Sequence, residues 1–244
     1  MEATEDPSGR APDNRTYYDA FARHYDDRRA RGYHKLIDDQ AAELVRRVGM
    51  GKEVLEVGCG TGLILERIAR FASRAEGVDL SPGMAEHARR RGLNVQVADA
   101  TTLPYADGSF DVACSFKVLA HVPDIGKALS EMARVTRPGG VILAEFYNPW
   151  SFRGLAKKMY AGKISDATKE SAVYTRFDSP ATLPKILPPG TTLETARGIR
   201  IVTPAAAVMR VPGLRGVLTK AERLLCDSPA ARFGGFYVAV IRKG

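Results

Sequence analysis

Glycines at alternate positions after a short apolar run give the clearest chemical signal in this sequence. The string VLEVGCGTG contains Gly58, Gly60 and Gly62, follows a strand-like run and opens a helix. Glycines at such a bend let the backbone approach a ligand, and a helix start offers unpaired N–H donors. The dinucleotide fingerprint G-x-G-x-x-G needs glycine at position 63, which is Leu63 here. Glu56 could reach the positive amino end of an amino-acid-like ligand, a group that NAD lacks.

Two acidic residues follow the next two strand-like runs. Asp79 ends the second run, where a carboxylate can accept hydrogen bonds from the two hydroxyls of a ribose. The alternative is a solvated turn residue that caps the helix beginning at Pro82. Asp99 follows the third run and could accept a hydrogen bond from an adenine amino group, although Asp99 alone does not decide between ligand and turn. An acidic group after each of three successive strands, beside a glycine loop, favours a nucleoside ligand with an amino-acid end.

His121 is the one histidine of the four that lies where a catalytic base would be needed, just beyond the fourth predicted strand. We consider both a general base and a packing or capping residue at this position. The three cysteines, Cys59, Cys114 and Cys226, are far apart and lack metal-ligand spacing. This usage predicts a reducing compartment with neither disulfides nor a zinc site.

Short apolar runs alternate with helical stretches through the first 147 residues. The predicted strands are 53–57, 75–79, 95–98, 111–116 and 141–146, and the predicted helices are 17–48, 63–71, 82–91 and 125–137. This alternation predicts an α/β fold, a doubly wound and mostly parallel sheet covered on both faces. Such sheets bind ligands beyond the carboxyl ends of their strands, which is where the residues named above lie.

The remaining chain is less regular. It predicts helices at 151–160 and 178–187, strands at 193–202 and 236–242, and a helical cap built from insertions at about 150–177 and 204–232. We expect residues 1–14 to be a disordered tail, because they are rich in Asp, Glu, Pro and Gly, and residues 15–244 to form a single domain whose cofactor-binding half is about 50–147.

The chain resembles a known enzyme family over about residues 17–147. The motifs that carry the resemblance are the glycine string, GVDLS at 77–81, DATTLPYADGSFD at 99–111, HVPD at 121–124 and RPGG at 137–140. Together they resemble the class I S-adenosylmethionine-dependent methyltransferases, and most closely the group that includes the ubiquinone and menaquinone biosynthesis enzymes. The resemblance implies a seven-stranded sheet with an antiparallel last strand, and S-adenosylmethionine as the cofactor.

The resemblance also implies roles for particular residues. The cofactor-binding residues that it implies or that we assign beside it are Glu56, Gly58 and Gly60 for the methionine part, Asp79 for the ribose, Leu80, Asp99 and Ala100 for the adenine, and Phe116 near the methionine end. The N-terminal segment resembles a helix that closes over the cofactor, with Tyr17 and Tyr25 covering the site; the alternative is a helix that only packs on the sheet. The group often has glutamate before His121, where this chain has Ala120.

The basic excess of the chain lies wholly in its last 95 residues. Residues 1–149 carry 20 basic and 22 acidic side chains, whereas residues 150–244 carry 16 and 6. We expect a cytoplasmic enzyme that methylates a small, lipid-like or natural-product acceptor and contacts an anionic membrane surface through 204–232, or uses that segment as a lid. Nucleic acid is not expected as a partner, since no RNA-binding module is present. The alternatives are an RNA methyltransferase and a non-catalytic cofactor-binding protein, with a nicotinamide oxidoreductase disfavoured by Leu63.

Overall fold

A seven-stranded sheet forms the centre of the described structure. The computed structural model describes residues 14–22, 25–26, 32–151, 174–203, 208–209, 211 and 213–244. Its strands are β1 (Glu53–Val57), β2 (Arg74–Asp79), β3 (Asn94–Val97), β4 (Phe110–Ser115), β5 (Thr136–Tyr147), β6 (Thr191–Ile199) and β7 (Phe236–Lys243). Their order across the sheet is β3-β2-β1-β4-β5-β7-β6, and β7 runs antiparallel to both of its neighbours. The predicted doubly wound sheet with an antiparallel last strand is confirmed.

Helices cover the two faces of this sheet. They are α1 (Asn14–Phe21), α2 (Gly32–Gly49), α3 (Leu65–Ile68), α4 (Pro82–Arg90), α5 (Ile125–Val135) and α6 (Leu214–Leu225). Leu36, Leu44 and Val45 of α2 pack on one face of β1 and β4, and α5 packs on the other through Leu129 and Met132. Because successive strand residues point to opposite faces, each strand contributes apolar side chains to both layers.

The order of the strands decides where a ligand can bind. The chain moves outward from β1 to β3 and then returns to β4 on the other side of β1. The carboxyl ends of β1 and β4 therefore flank the point where the winding reverses, which is the binding crevice of such sheets. Glu56 and Val57 end β1 at this crevice, and Ser115 ends β4.

Several predicted elements differ from the structure. The predicted helix at 178–187 is wrong: the segment forms turns and a short 3₁₀ helix, Leu183–Lys185. Pro184 explains the difference, because proline removes a backbone donor and disfavours helical geometry at the residue before it. The helix predicted at 63–71 is reduced to α3, and two separate helices, α1 and α2, replace the single helix predicted at 17–48.

Some predictions fall outside the described residues. The tail predicted at 1–14 lies outside them except for Asn14, which begins α1, and so does the helix predicted at 151–160 except for Ser151. The region predicted as a cap is described in part, with α6 as its main element. In the part of the chain that the structure describes, no helix has the length and apolar character needed to cross a membrane.

A buried glutamate holds α6 to the sheet. Glu222 is 1% exposed and accepts hydrogen bonds from the backbone N–H groups of Ile201, Val202 and Thr203 at 2.8–3.0 Å, and from the Thr203 hydroxyl at 2.7 Å. Three otherwise unpaired donors after β6 are satisfied by one carboxylate, so α6 is anchored to the end of that strand.

An arginine on β6 joins α6 to α2. Arg197 is 1% exposed and pairs with Asp227 through two nitrogens at 2.7 and 2.8 Å. Arg47 of α2 contacts the same carboxylate at 2.7 Å. These hydrogen bonds, that of Arg197 first, lower the pKa of Asp227 to about 2. The two cations therefore fix the end of α6 against the body of the domain.

Candidate active site

The loop between β1 and α3 is tightly built against its neighbours. Gly58 has φ +76°, and a Cβ atom there would come within 2.3 Å of Val118, in the loop after β4. The N–H groups of Gly58 and Cys59 both donate to the Val78 carbonyl, at 2.7 and 3.0 Å. Gly60 has φ +56°, and a Cβ there would meet nothing within 4 Å. The glycines thus provide both the close approach of the two loops and an open side at Gly60.

Asp79 connects this loop to the start of α4. Its Oδ2 atom accepts a hydrogen bond from Gly60 N at 2.7 Å, and its Oδ1 atom accepts from Ser81 N at 2.9 Å. Burial raises the pKa of Asp79, while these two backbone hydrogen bonds oppose the rise. The N-cap of α4 is Ser81, whose hydroxyl accepts from Met84 N, so the capping role considered for Asp79 belongs to Ser81. Leu80, beside it, is 39% exposed, as an adenine-packing residue would be.

Asp99 and Ala100 lie after β3 on the same edge. The exposed Asp99 accepts hydrogen bonds at its Oδ1 atom from Thr101 N and from the Thr101 hydroxyl, both at 2.8 Å. Ala100 is half-buried against the α5 side of the sheet. Asp99 therefore shapes its own turn, and its contact with an adenine remains a prediction.

Glu56 presents a buried carboxyl to the crevice. It is 2% exposed, and its Oε2 atom has no hydrogen-bond partner within the described residues. Burial, and after it the Asp38 carboxylate, raises the pKa of Glu56 well above its usual range. A buried carboxyl without a partner fits a cationic ligand group, and S-adenosylmethionine carries such a group in its ammonium. Glu56, the open side at Gly60 and Asp79 together fit this cofactor.

The N-terminal segment closes over the glycine loop and α4. Asp19 of α1 accepts hydrogen bonds from the Ser81 hydroxyl and from Gly83 N, the latter at 2.8 Å. Asp26 accepts from the Thr61 hydroxyl at 2.7 Å and pairs with Arg91 at 2.5 Å. These contacts hold α1 against the start of α4, and they hold Asp26 against the glycine loop and Arg91.

The two tyrosines predicted to cover the site are described to different extents. Tyr25 is half-buried in the closing segment, beside Asp26. The side chain of Tyr17 lies outside the described part of the chain. Cofactor contact by either residue stays a prediction.

His121 ends a 3₁₀ turn, Leu119–His121, at the carboxyl end of β4. Its Nδ1 atom lies 2.9 Å from the Tyr174 carbonyl oxygen and 3.2 Å from the Thr175 hydroxyl, and its Nε2 atom lies 3.5 Å from the Tyr147 hydroxyl. A carbonyl oxygen only accepts hydrogen bonds, so Nδ1 carries a hydrogen, and in the neutral ring Nε2 then carries the lone pair. The neutral form of this ring has the tautomer that a general base needs, and the catalytic role of His121 stays a prediction.

Aromatic rings surround His121. Its ring makes edge contacts with Tyr18 of α1, at a centroid distance of 6.2 Å, and with Tyr147 at 5.6 Å. Tyr147 in turn contacts Phe236 at 5.2 Å and Phe177 at 6.2 Å. We call these five side chains the aromatic cluster. It brings together rings from α1, β5, β7 and the segment after residue 173.

Other predicted and unpredicted residues lie beneath this surface. Phe116 is 3% exposed and packs in the apolar layer under α2, directly before Lys117. Lys117 pairs with the buried Asp38 of α2. The residues around the candidate site that sequence reasoning missed are Tyr18, Asp19, Asp26, Asp38, Lys117, Tyr147, Phe177 and Phe236. Within the described residues, no group of three His, Cys, Asp or Glu side chains could hold a metal ion.

Comparison with known sequences identifies the region that carries this site. Residues 55–144 match a family model described as a methyltransferase domain. A demethylmenaquinone methyltransferase from Mycobacterium marinum is 37% identical over 113 residues, 46% of this chain and 49% of the relative. A malonyl-acyl-carrier-protein O-methyltransferase from Serratia marcescens is 37% identical over 117 residues, 43% of this chain and 46% of the relative. The chain spans about half the length of these curated relatives.

Comparison with solved structures extends the likeness to the whole fold. An S-adenosylmethionine-dependent methyltransferase from Thermotoga maritima has a TM-score of 0.69 at 22% identity, over 94% of this chain and 99% of that one. The 4+2 cyclase SpnF has a TM-score of 0.64 at 19% identity, over 96% and 98%. At these identities the likeness shows the fold alone, and the sequence match must carry the family. Residues 55–144 of this chain are therefore a methyltransferase domain of the class I S-adenosylmethionine-dependent family.

Proposed function

We propose that this chain transfers a methyl group from S-adenosylmethionine to a proton-bearing small-molecule acceptor, with His121 as the general base. The observation that carries the proposal is the hydrogen bond between His121 Nδ1 and the Tyr174 carbonyl. It favours one tautomer of the neutral ring, in which the lone pair of Nε2 faces Tyr147. A base in this orientation accepts the proton that the attacking oxygen or nitrogen loses.

The residues that would hold the cofactor are those at the carboxyl ends of β1 to β3. They are Glu56, Gly58, Gly60, Asp79, Leu80, Asp99 and Ala100. When bound, S-adenosylmethionine supplies a methyl group that its sulfonium has already activated. The protein therefore has to orient the acceptor, exclude water and remove a proton, and orientation alone can account for a large part of the rate.

The aromatic cluster supports an acceptor with an apolar or planar body. Tyr147 contacts both His121 and Phe236. An acceptor that binds against these rings would contact them along its apolar body and would have Nε2 of His121 at its polar end. The 3.5 Å between Nε2 and the Tyr147 hydroxyl is long for a hydrogen bond, and an acceptor hydroxyl competes well with it. The relatives named as a demethylmenaquinone methyltransferase and a malonyl-acyl-carrier-protein O-methyltransferase are consistent with a small acceptor.

Methyl transfer from labelled S-adenosylmethionine to a panel of hydroquinones and catechols tests this proposal. We expect a methylated product with wild type, and a turnover reduced roughly 10²- to 10⁴-fold by His121→Ala with little change in cofactor affinity. His87→Ala, on the outer helix α4, is the matched control and should keep wild-type turnover. A loss below about fivefold in His121→Ala would remove the base and leave orientation as the main catalytic effect. Cofactor binding with no turnover on any acceptor would favour the non-catalytic alternative.

We propose in addition that α6 contacts an anionic membrane surface. Apolar side chains project into solvent along one side of this region: Leu214 is 40% exposed, Val217 64% and Leu224 79%. Arg215 and Arg223 are exposed on the same helix. Basic residues beside an apolar stripe suit the headgroup region of an anionic bilayer, at about 1 kcal/mol for each cation near the surface.

Vesicle sedimentation separates this proposal from a lid over a soluble acceptor. We expect binding to vesicles that contain phosphatidylserine, no binding to pure phosphatidylcholine, and loss of binding in the triple change Arg215→Glu, Lys220→Glu and Arg223→Glu. The matched control makes the same charge change at exposed arginines elsewhere: Arg46→Glu, Arg70→Glu and Arg90→Glu. An equal loss of vesicle binding in the two triple variants would show that net charge, and not α6, causes the binding. No binding of wild type at low salt would contradict the membrane proposal and leave α6 as a lid over the acceptor.

A further inference from the structure

Behind the glycine loop lies a buried ion pair to which the mechanism above gives no role. Lys117 Nζ donates to Asp38 Oδ1, and the two side chains are 15% and 2% exposed. Lys117 has φ +62°, and its N–H donates to Glu145 Oε1 at 3.0 Å. A left-handed backbone at a lysine is uncommon. The hydrogen bond to Glu145 therefore stabilises the turn after β4 in a conformation that directs the Lys117 ammonium group toward α2.

Glu56 shares this interior with the ion pair. Both the Glu56 Oε2 atom and the Asp38 Oδ2 atom are buried and have no hydrogen-bond partner within the described residues. The charged groups that act on Glu56 are Asp38 from α2, Lys117 from the loop after β4 and Asp79 from β2; the Leu65 N–H donates to it, and the Cys59 and Cys114 thiols lie nearby. Two carboxylates and one ammonium thus act on Glu56, and that ammonium is bonded to Asp38.

A buried carboxylate without a hydrogen-bond partner or counter-charge lowers the stability of the fold, because it has lost its hydration. A buried carboxylate is stabilised either by protonation, which removes its charge, or by a cationic partner. Burial and the Asp38 carboxylate both favour the proton on Glu56, as the raised pKa of Glu56 reflects. Lys117 would favour the ionised form, but its hydrogen bond commits it to the neighbouring acid.

We propose that Asp38 is a positioning residue of the cofactor site: it holds the Lys117 ammonium at its own carboxylate and so reserves the Glu56 carboxyl for the ammonium group of S-adenosylmethionine. Glu56 carries a proton when the cofactor is absent and releases that proton to solvent when the cofactor ammonium takes its place. The inference rests on the proposed function, because it takes S-adenosylmethionine as the ligand. It adds a role for Asp38 and Lys117 that sequence motifs do not indicate.

Two consequences follow for binding. Cofactor binding releases a proton, so cofactor affinity rises with pH until Glu56 is ionised without ligand. Removing the charge of Asp38 frees Lys117 to pair with Glu56. The Glu56 carboxylate is then already compensated, so binding releases little or no proton and the cofactor ammonium loses its charged partner.

Titration calorimetry of the full chain with S-adenosylmethionine at pH 7, in phosphate and in Tris buffer, measures the proton count. The two buffers differ in ionisation enthalpy, so the difference in binding heat reports the protons released. We expect a measurable proton release for wild type and close to none for Glu56→Gln and Asp38→Asn. Affinity should fall roughly 10- to 100-fold in both variants, as for a lost charged hydrogen bond. Asp39→Asn is the matched control, because this neighbour on α2 pairs with Lys35 and Arg67 at the surface and should leave the proton count unchanged.

The outcomes distinguish this inference from the proposed function. No binding of S-adenosylmethionine by wild type would overturn the proposed function itself. Binding without proton release, or an Asp38→Asn protein with the wild-type proton count, would overturn the inference alone. Should Asp38→Asn fail to fold, Lys117→Met supplies the second test: it keeps the apolar stem, removes the competing cation and should still release a proton, and its failure to do so would overturn the inference.

Discussion

Asp79→Asn separates the two tasks that the structure gives to this side chain. Its carboxylate accepts backbone hydrogen bonds at 2.7 and 2.9 Å from Gly60 and Ser81. Asparagine keeps the shape but has one oxygen, so one N–H loses its acceptor and faces an amide NH₂ group. A hydrogen bond to a charged group contributes about 1.5–3 kcal/mol. We therefore expect the free energy of unfolding to fall by about 1–3 kcal/mol, since relief of the buried charge offsets part of the loss.

The cofactor effect adds to this loss. Ribose hydroxyls donate to the same carboxylate in the proposed complex, and an amide accepts more weakly and from one oxygen only. The Kd for S-adenosylmethionine should rise roughly 10- to 100-fold. Urea denaturation gives the first quantity, and calorimetry at a temperature where the variant is folded gives the second.

Asp111→Asn is the matched control for this experiment. Asp111 accepts from Glu53 N at 2.9 Å and pairs with Arg137, at the amino end of β4, on the opposite edge of the sheet from the crevice. It should lower stability without changing cofactor affinity. An Asp79→Asn protein that loses stability but binds S-adenosylmethionine as wild type does would refute a ligand role for Asp79. Asp79 would then only stabilise the loops that contain Gly60 and Ser81.

Three further predictions concern the frame around the site. Glu222→Ala should lower the free energy of unfolding, measured by urea denaturation, by at least about 3 kcal/mol, because three backbone donors after β6 lose their acceptor. A loss below about 1 kcal/mol would contradict the anchoring of α6. Asp227→Asn should be less stable than wild type above about pH 4, because the Arg197 hydrogen bond lowers the pKa of Asp227 and its stabilisation is lost on protonation. The difference should shrink as the pH falls through about 2, and a difference that stays undiminished at that pH would exclude this cause. Gly58→Ala should destabilise the protein through both its positive φ and its clash with Val118, and Val118→Ala should restore only part of the loss; full restoration would remove the backbone contribution.

The parts of the site that follow strands directly could be predicted from sequence. Glu56, the glycine loop, Asp79 and Asp99 each lie within a few residues of the strand that positions them, so strand prediction is sufficient to place them on one edge. The parallel order of the sheet then follows from alternation of strands and helices. These local signals give the cofactor half of the site.

The acceptor half and the buried charges depend on contacts between distant segments. His121 meets Tyr174 across 53 positions, and Lys117 meets Asp38 across 79. No local pattern marks these partners, because packing of α2 and of the segment after residue 173 on the sheet brings them together. The wrong helix at 178–187 is a different case, because the local signals conflict: Asp178 or Ser179 as N-cap and Pro180 in the first turn favour a helix, whereas Pro184 opposes its continuation.

Calorimetric titration of the full chain with S-adenosylmethionine, S-adenosylhomocysteine and NADH, side by side at pH 7, tests the central claim most directly. The structure predicts saturable binding of the two sulfur compounds at one site per chain and none of NADH, because Glu56 and Asp79 match an ammonium group and a ribose at opposite ends of the glycine loop. Binding of NADH without binding of S-adenosylmethionine would contradict the account.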